Sequence, residues 1–137
     1  MVDLVEMEHT MNDVEYPEMR LNVVLAIQAL ADLDYQWRVW VRREYPHSNF
    51  FDDFTQRIHI LYDDTRLLEL LDEEKIGDIL RDEDEREALR PLREALDTLF
   101  DRYGTELTDE QYMTTPEWPA VVSAAQAALP VFTRVKN

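Results

Sequence analysis

One long apolar segment near the N-terminus constrains the fold of this chain more than any other feature. The segment PEMRLNVVLAIQALADL spans residues 17–33, and only Arg20, Asn22 and Gln28 interrupt its apolar surface. Its proline suits the first turn of a helix, and Glu18 lies favourably beside the positive end of the helix dipole. A helix that is apolar nearly all round must be covered on more than one side. The segment therefore predicts a central helix within the core.

Hydrophobic periodicity predicts further helices along the rest of the chain. The clearest amphipathic pattern covers residues 87–103 and stops at Gly104, and Pro91 requires that this helix begin close to Glu87 or bend. Shorter helices are predicted at residues 35–45, 52–64, 109–113 and 115–129. The predicted fold class is mainly α, a compact bundle of about six helices around the central apolar helix. For residues 66–81, the sequence fits either the start of a further helix or a small β-hairpin.

The size and composition indicate one folded domain. With 137 residues, of which 45% are hydrophobic, the chain is long enough to build one core. We predict an acidic N-terminal arm over residues 1–15 and a single helical domain over residues 16–137. Because the exchange of an arm is a low-cost route to dimers, we expect this arm to link two copies in a homodimer.

The charge and the scarcity of two residue types exclude several classes of function. A net charge of −16, from 30 acidic and 14 basic side chains, repels nucleic acid and anionic membranes and favours cationic partners. The absence of cysteine excludes disulfides, thiol nucleophiles and iron–sulfur clusters. With only two glycines, the chain has no phosphate-binding glycine loop. We therefore expect no organic cofactor.

The N-terminal residues also indicate where the protein works. They lack the basic start and the continuous apolar run of an export signal, and no segment approaches the length of a membrane-spanning helix. We therefore expect a cytoplasmic protein.

A histidine between two pairs of aspartates is the first candidate site. On a regular helix Asp52, Gln56, His59 and Asp63 fall on one stripe, because they recur at steps of four, three and four residues. Two carboxylates and one imidazole form a known ligand set for divalent metals, so Asp52, His59 and Asp63 are candidate metal ligands. The same residues also fit an ordinary solvated helix face, which is the commoner outcome.

A surplus of carboxylates in the middle of the chain is the second candidate site. Residues 63–87 contain 12 acids and four bases. The candidate partner-binding residues are Asp72, Glu73, Glu74, Asp82, Glu83, Asp84 and Glu85. Complementary charge accelerates the encounter with a basic protein, so this surface predicts such a partner. The alternative is that the acids only keep the protein soluble.

Aromatic residues near a group of arginines form a third pattern. Trp37, Trp40, Tyr45, Phe50 and Phe51 lie close in sequence to three arginines, a composition typical of interface anchors. Core packing is the commoner explanation for the two tryptophans, since both fall on the apolar side of a predicted helix. A small-molecule sensor with its ligand beside the tryptophans is a further alternative.

Several short segments resemble one protein family. The segments YPEMR, ALADLDYQWRVW, IHILYDDT, KIGDIL and TPEWPAVVSAAQAAL are similar to the pattern of small, uncharacterised acidic proteins from high-GC Gram-positive bacteria. The resemblance covers about residues 16–129 and leaves the arm outside. It implies no catalytic role for any residue, but it marks HILYDDT as part of a family pattern. In size and charge alone, the chain is also similar to immunity proteins that neutralise bacterial toxins.

Together these patterns favour a non-enzymatic, acidic protein-interaction module that binds a basic protein in the manner of an immunity protein or antitoxin. The alternative is a small metal-binding protein or metal-dependent enzyme that uses the His/Asp stripe.

Overall fold

The structure of this protein, a computed structural model, describes residues 14–134 and is mainly helical. Within that range there are six helices and no strand, so the fold class predicted from the sequence is confirmed. Two of the helices, α2 and α3, continue into π-helical turns. The helices are α1 (Pro17–Ala31), α2 (Leu33–Tyr35, then Gln36–Val41), α3 (Phe54–His59, then Ile60–Asp64), α4 (Glu83–Tyr103), α5 (Asp109–Met113) and α6 (Trp118–Thr133).

Helix α1 lies in the core, as its sequence predicts. Val23, Val24, Ile27 and Leu30 have no exposed surface. The helix packs against α6 on one side and against α2 and α3 on others. Burial on several sides explains why the segment carries so few polar residues.

Helix α4 is the longest helix and packs against α6. Its apolar stripe of Leu89, Leu92, Leu96 and Leu99 is fully buried. The helix begins four residues earlier than its apolar pattern predicts, because Asp82 caps it by accepting a hydrogen bond from the Glu85 amide at 3.1 Å. Pro91 therefore lies inside the helix, on its exposed side.

The π-helical turns of α2 change which of its residues face inward. The regular helix predicted for this segment places both tryptophans on its apolar side, but Trp37 is only half-buried. In a π-helix the hydrogen bonds span five residues, so the buried face shifts along the sequence. Gln36, Val39 and Trp40 occupy the inward positions instead.

Residues 66–81 form a series of turns, so the hairpin considered as an alternative is not formed. Their apolar side chains nevertheless belong to the core: Leu67, Leu68, Leu71, Ile79 and Leu80 are buried. Strand pairing is not needed to satisfy the backbone here, because arginines from two helices bind its carbonyls. Arg20 donates to Ile79 O at 2.8 Å, and Arg86 donates to Glu74 O at 2.7 Å.

The first residues that the structure describes lie beside this series of turns and are hydrogen-bonded to it. The amides of Glu15 and Tyr16 donate to the carbonyls of Gly77 and Asp78 at 2.7 and 2.9 Å. The predicted acidic arm falls almost wholly on residues 1–13, outside the described residues, so arm exchange in a homodimer stays a prediction. Within residues 14–134, no helix is both long enough and apolar enough to cross a membrane.

Candidate partner-binding surface

Exposed carboxylates lie in the turns and at the start of α4, and Arg90 joins the two segments through Asp72 and Glu87. We call this group the acidic face and define it by its exposed residues Asp72, Glu73, Glu83, Asp84 and Glu87. Their exposure is high: 66% for the Glu83 side chain, 83% for Asp84 and 64% for Glu87. Four of the seven residues predicted to bind a partner lie on this surface.

Two arginines of α4 hold the acidic face together. Arg90 donates to Asp72 at 2.6 Å and to Glu87 at 3.0 Å, which joins the turns to the helix. Arg86 pairs with Glu83 at 2.8 Å while its guanidinium also binds backbone carbonyls of the turns. The hydrogen bond from Arg90 lowers the pKa of Asp72. These pairs fix the positions of Asp72, Glu83 and Glu87.

The other three predicted partner-binding residues do not lie open to a partner. Glu85 is fully buried. Asp82 caps α4 and pairs with Arg134 at 2.6 Å, and its side chain is 24% exposed. Glu74 is half-buried, and burial raises the pKa of its carboxyl. The prediction that Glu85 is a surface residue is wrong, because the inner side of the first helical turn points at the core.

Glu85 is the centre of a buried charge network. Arg20 binds it through two parallel hydrogen bonds of 2.7 Å, one to each carboxylate oxygen. Arg81 donates to the same carboxylate at 2.9 Å, and both arginines also bind the Phe132 carbonyl near the end of α6. One carboxylate thus faces two guanidinium groups. The negative end of the α6 dipole lies beside the same guanidinium groups and favours their positive charge.

The three candidate metal ligands do not come together. Helix α3 begins at Phe54 with Asp53 as its cap, so Asp52 lies before the helix and not on its stripe. Asp52 is buried and accepts hydrogen bonds from Tyr35 at 2.7 Å and Trp40 at 2.8 Å.

His59 and Asp63 contact each other directly on the surface, where their side chains are 58% and 61% exposed. In the part of the chain that the structure describes, no three His, Asp or Glu side chains are grouped to hold a metal ion. The predicted stripe is not formed because the prediction assumed a regular helix from Asp52 onward, whereas the helix begins at Phe54. Metal binding by the remaining pair stays a prediction, which elemental analysis of the purified protein tests.

The comparison with known proteins gives one family. A family model described as a domain of unknown function (DUF7945) matches residues 14–136. The chain belongs to this family. The match agrees with the resemblance to an uncharacterised family, and like the resemblance it assigns no residue a role. No curated protein and no solved structure matches the chain.

In this DUF7945 member, the aromatic residues singled out in the sequence have two separate positions. Trp40 is buried, packs on Phe54 with ring centroids 5.9 Å apart, and belongs to the core. Tyr45 and Phe50 are half-buried, whereas Phe51 is 53% exposed at the end of a loop. Nearby Arg38 and Arg42 pair with Asp34 and Glu44 at 2.8 and 2.7 Å. These pairs account for two of the three arginines without invoking a partner protein.

A groove that sequence patterns did not predict lies between α3, α4 and α5. We call it the aromatic groove; it has a volume of about 450 Å³ and is lined mainly by Phe54, Ile58, Tyr62, Asp63, Phe100 and Tyr112. The signal in the sequence was weak, because residues far apart in the chain supply its walls. Apart from Asp63, each of these positions taken alone fits an ordinary core residue.

Proposed function

We propose that this protein is a non-enzymatic, acidic protein-interaction module that binds a basic protein partner through its acidic face. The observation that supports the proposal is that exposed carboxylates from two parts of the chain meet on one surface, which Arg86 and Arg90 hold in place. A fixed array of like charge attracts a cationic partner without first having to order its own side chains.

The charge balance of the face supports the same partner. Arg86 is 9% exposed, whereas the Glu83 carboxylate with which it pairs is 66% exposed, so the acid and not the base reaches the solvent. Arg90 is likewise less exposed, at 34%, than Asp72 at 57%. A partner therefore meets carboxylates first, and Lys or Arg side chains fit them.

Affinity capture with matched variants tests this proposal. The wild-type protein, the face variant Glu73→Gln/Asp84→Asn/Glu87→Gln and a control variant serve as baits in parallel, in extract from the source organism. We expect a basic protein that is retained by the wild type at low salt, is released at high salt, and is not retained by the face variant.

The control variant is Glu18→Gln/Asp34→Asn/Glu110→Gln, which removes the same charge from exposed positions outside the face. It is expected to retain the partner. Equal retention by all three baits, or retention that does not depend on salt, would overturn the proposal.

We further propose that the module works in a bacterial cytoplasm, in a role like that of an immunity protein or antitoxin. The support is the resemblance to proteins of high-GC Gram-positive bacteria, together with the small size and the net charge of −16. A toxin that such a protein neutralises is expected to be basic, since opposite charge speeds its capture. Co-expression of the captured partner with and without this protein tests the role: growth inhibition that the protein relieves would support it, and the absence of inhibition would contradict it.

A further inference from the structure

The aromatic groove has a rigid wall. Phe54 stacks on Phe100 with centroids 5.9 Å apart and an interplanar angle of 21°. Tyr112 contacts both rings nearly edge-on, at 5.3 and 5.8 Å, and Tyr62 contacts Phe100 at 6.5 Å. Phe54 is also in contact with Trp118 in the core at 5.0 Å. Because the rings are held by one another, the groove exists before any ligand arrives.

The rim of this apolar groove carries negative charge. Asp63 lines the groove and is 61% exposed. Asp97 accepts a hydrogen bond from the Tyr62 hydroxyl at 2.9 Å and is exposed. Among residues 14–134, neither carboxylate forms an ion pair with an arginine or lysine, and Asp63 contacts His59, which also lines the groove. Because both carboxylates are exposed, a cation from outside can reach them.

We infer that the aromatic groove binds an arginine side chain of the basic partner, so that the proposed interaction has a second, specific contact beside the acidic face. This inference rests on the proposed function and names the group that the site recognises. The aliphatic stem of the arginine packs against Ile58 and the half-buried rings of Tyr62 and Phe100. Its guanidinium group reaches Asp63, and the charge of Asp97 beside the Tyr62 hydroxyl adds to the attraction.

Arginine fits this combination better than the other basic residue. Its guanidinium group is planar and weakly hydrated, so it can lie on an aromatic ring and still donate several hydrogen bonds to carboxylates. The lysine ammonium group is compact and strongly hydrated, and it loses more by leaving water. The groove is thus expected to discriminate between two residues that the acidic face treats alike.

Nuclear magnetic resonance with short peptides tests the inference. The probes are an acetylated arginine–glycine peptide, its lysine counterpart and its citrulline counterpart, in which the side chain keeps its shape but loses its charge. We expect the arginine peptide to shift the signals of Tyr62, Phe100 and Thr105, the lysine peptide to shift them less, and the citrulline peptide to leave them unchanged. Equal shifts with arginine and lysine, or shifts that are confined to the acidic face, would overturn the inference.

Two isosteric variants locate the charge that matters. The variant Asp63→Asn/Asp97→Asn keeps the oxygens that contact His59 and Tyr62 but removes both charges. It should lower the affinity for the arginine peptide by about fivefold. The control Glu18→Gln/Glu94→Gln changes the net charge equally at exposed positions away from the groove and should bind as the wild type does. An equal loss in both variants would mean that only the overall charge attracts the peptide, and would contradict the inference.

The two proposals fail in different ways. If the groove variant still captures the basic partner while the face variant does not, the proposed function stands and the groove inference fails. If the arginine peptide binds the groove but no basic partner depends on the acidic face, the groove still recognises arginine and the proposed function fails.

Discussion

Two buried carboxylates, those of Glu85 and Asp52, show how acidic side chains are accommodated in the core. Glu85 and Asp52 are both buried, and each is surrounded by donors: two arginines at Glu85, and Tyr35, Trp40 and Arg57 at Asp52. A buried carboxylate without such partners would cost several kcal/mol. Each of the two carboxylates therefore binds side chains from more than one element of the fold.

Neutralising Glu85 should strongly destabilise the fold. In Glu85→Gln, Arg20 and Arg81 would lose the buried carboxylate that both bind, so we expect the free energy of unfolding to fall by about 3–5 kcal/mol. Urea denaturation measures the change. The exposed neighbour gives the control, because Glu87→Gln should change stability by about 0.5 kcal/mol or less. Similar effects of the two variants would contradict the buried network.

Tyr35 makes stability depend on alkaline pH. Burial, and then the hydrogen bond to Asp52, raise the pKa of this phenol from 10.0 to about 12. Above pH 10 the unfolded chain loses the phenolic proton while the folded chain keeps it, so stability falls as pH rises through this window. One proton sets an upper limit of about 1.4 kcal/mol per pH unit, reduced here because Tyr35 is only half-buried.

Denaturation of Tyr35→Phe between neutral and alkaline pH isolates this effect. The variant should start about 1 kcal/mol less stable, since it lacks the hydrogen bond, and should lose less stability than the wild type above pH 10. Parallel curves for the two proteins would show that Tyr35 does not carry the pH dependence.

Residue-scale prediction from the sequence had a clear limit. Arg20 in an apolar helix signals a buried charge that needs a carboxylate, but the sequence offers 30 acids and does not select Glu85. The His59–Asp63 contact follows from helical spacing and was predictable. The separation of Asp52 from His59 and Asp63 was not predictable, because it depends on the residue at which α3 begins.

At the scale of helices, apolar periodicity predicted where most helices lie but not their details. Helices α1 and α4 follow their apolar patterns, since each buries a continuous stripe. The π-helical turns in α2 and α3 were not predicted, because tertiary packing imposes them and local sequence does not encode them. The turns at residues 66–81 depend on arginines from other helices, so periodicity within the segment could not reveal them either.

Pro91 inside α4 offers a test at the same scale. Proline removes the hydrogen bond to the carbonyl one turn earlier and crowds it, at a cost of about 3 kcal/mol in a regular helix. Because Pro91 is exposed, Pro91→Ala should restore the bond without disturbing the core. We expect a gain of about 1–3 kcal/mol in the free energy of unfolding, measured by thermal or urea denaturation. A loss of stability would mean that α4 needs the proline to pack on α6.

For the molecule as a whole, a buried set of charges and an exposed one have different roles. The buried network joins α1, the turns, α4 and α6 through Glu85, whereas the acidic face leaves its carboxylates in solvent. The overall charge indicated a cationic partner from composition alone. It did not indicate that four of seven candidate acids would share one face, nor that an aromatic groove would lie elsewhere on the same molecule.

The association rate of the captured basic partner as a function of ionic strength is the most direct test of this account. We predict that the rate falls steeply with added salt for the wild-type protein and for the Glu18→Gln/Asp34→Asn/Glu110→Gln control, and that the face variant associates slowly with a much weaker dependence on salt. If the face variant associates as fast as the wild type at low salt, with the same dependence, the acidic face does not recruit the partner and the central claim is contradicted.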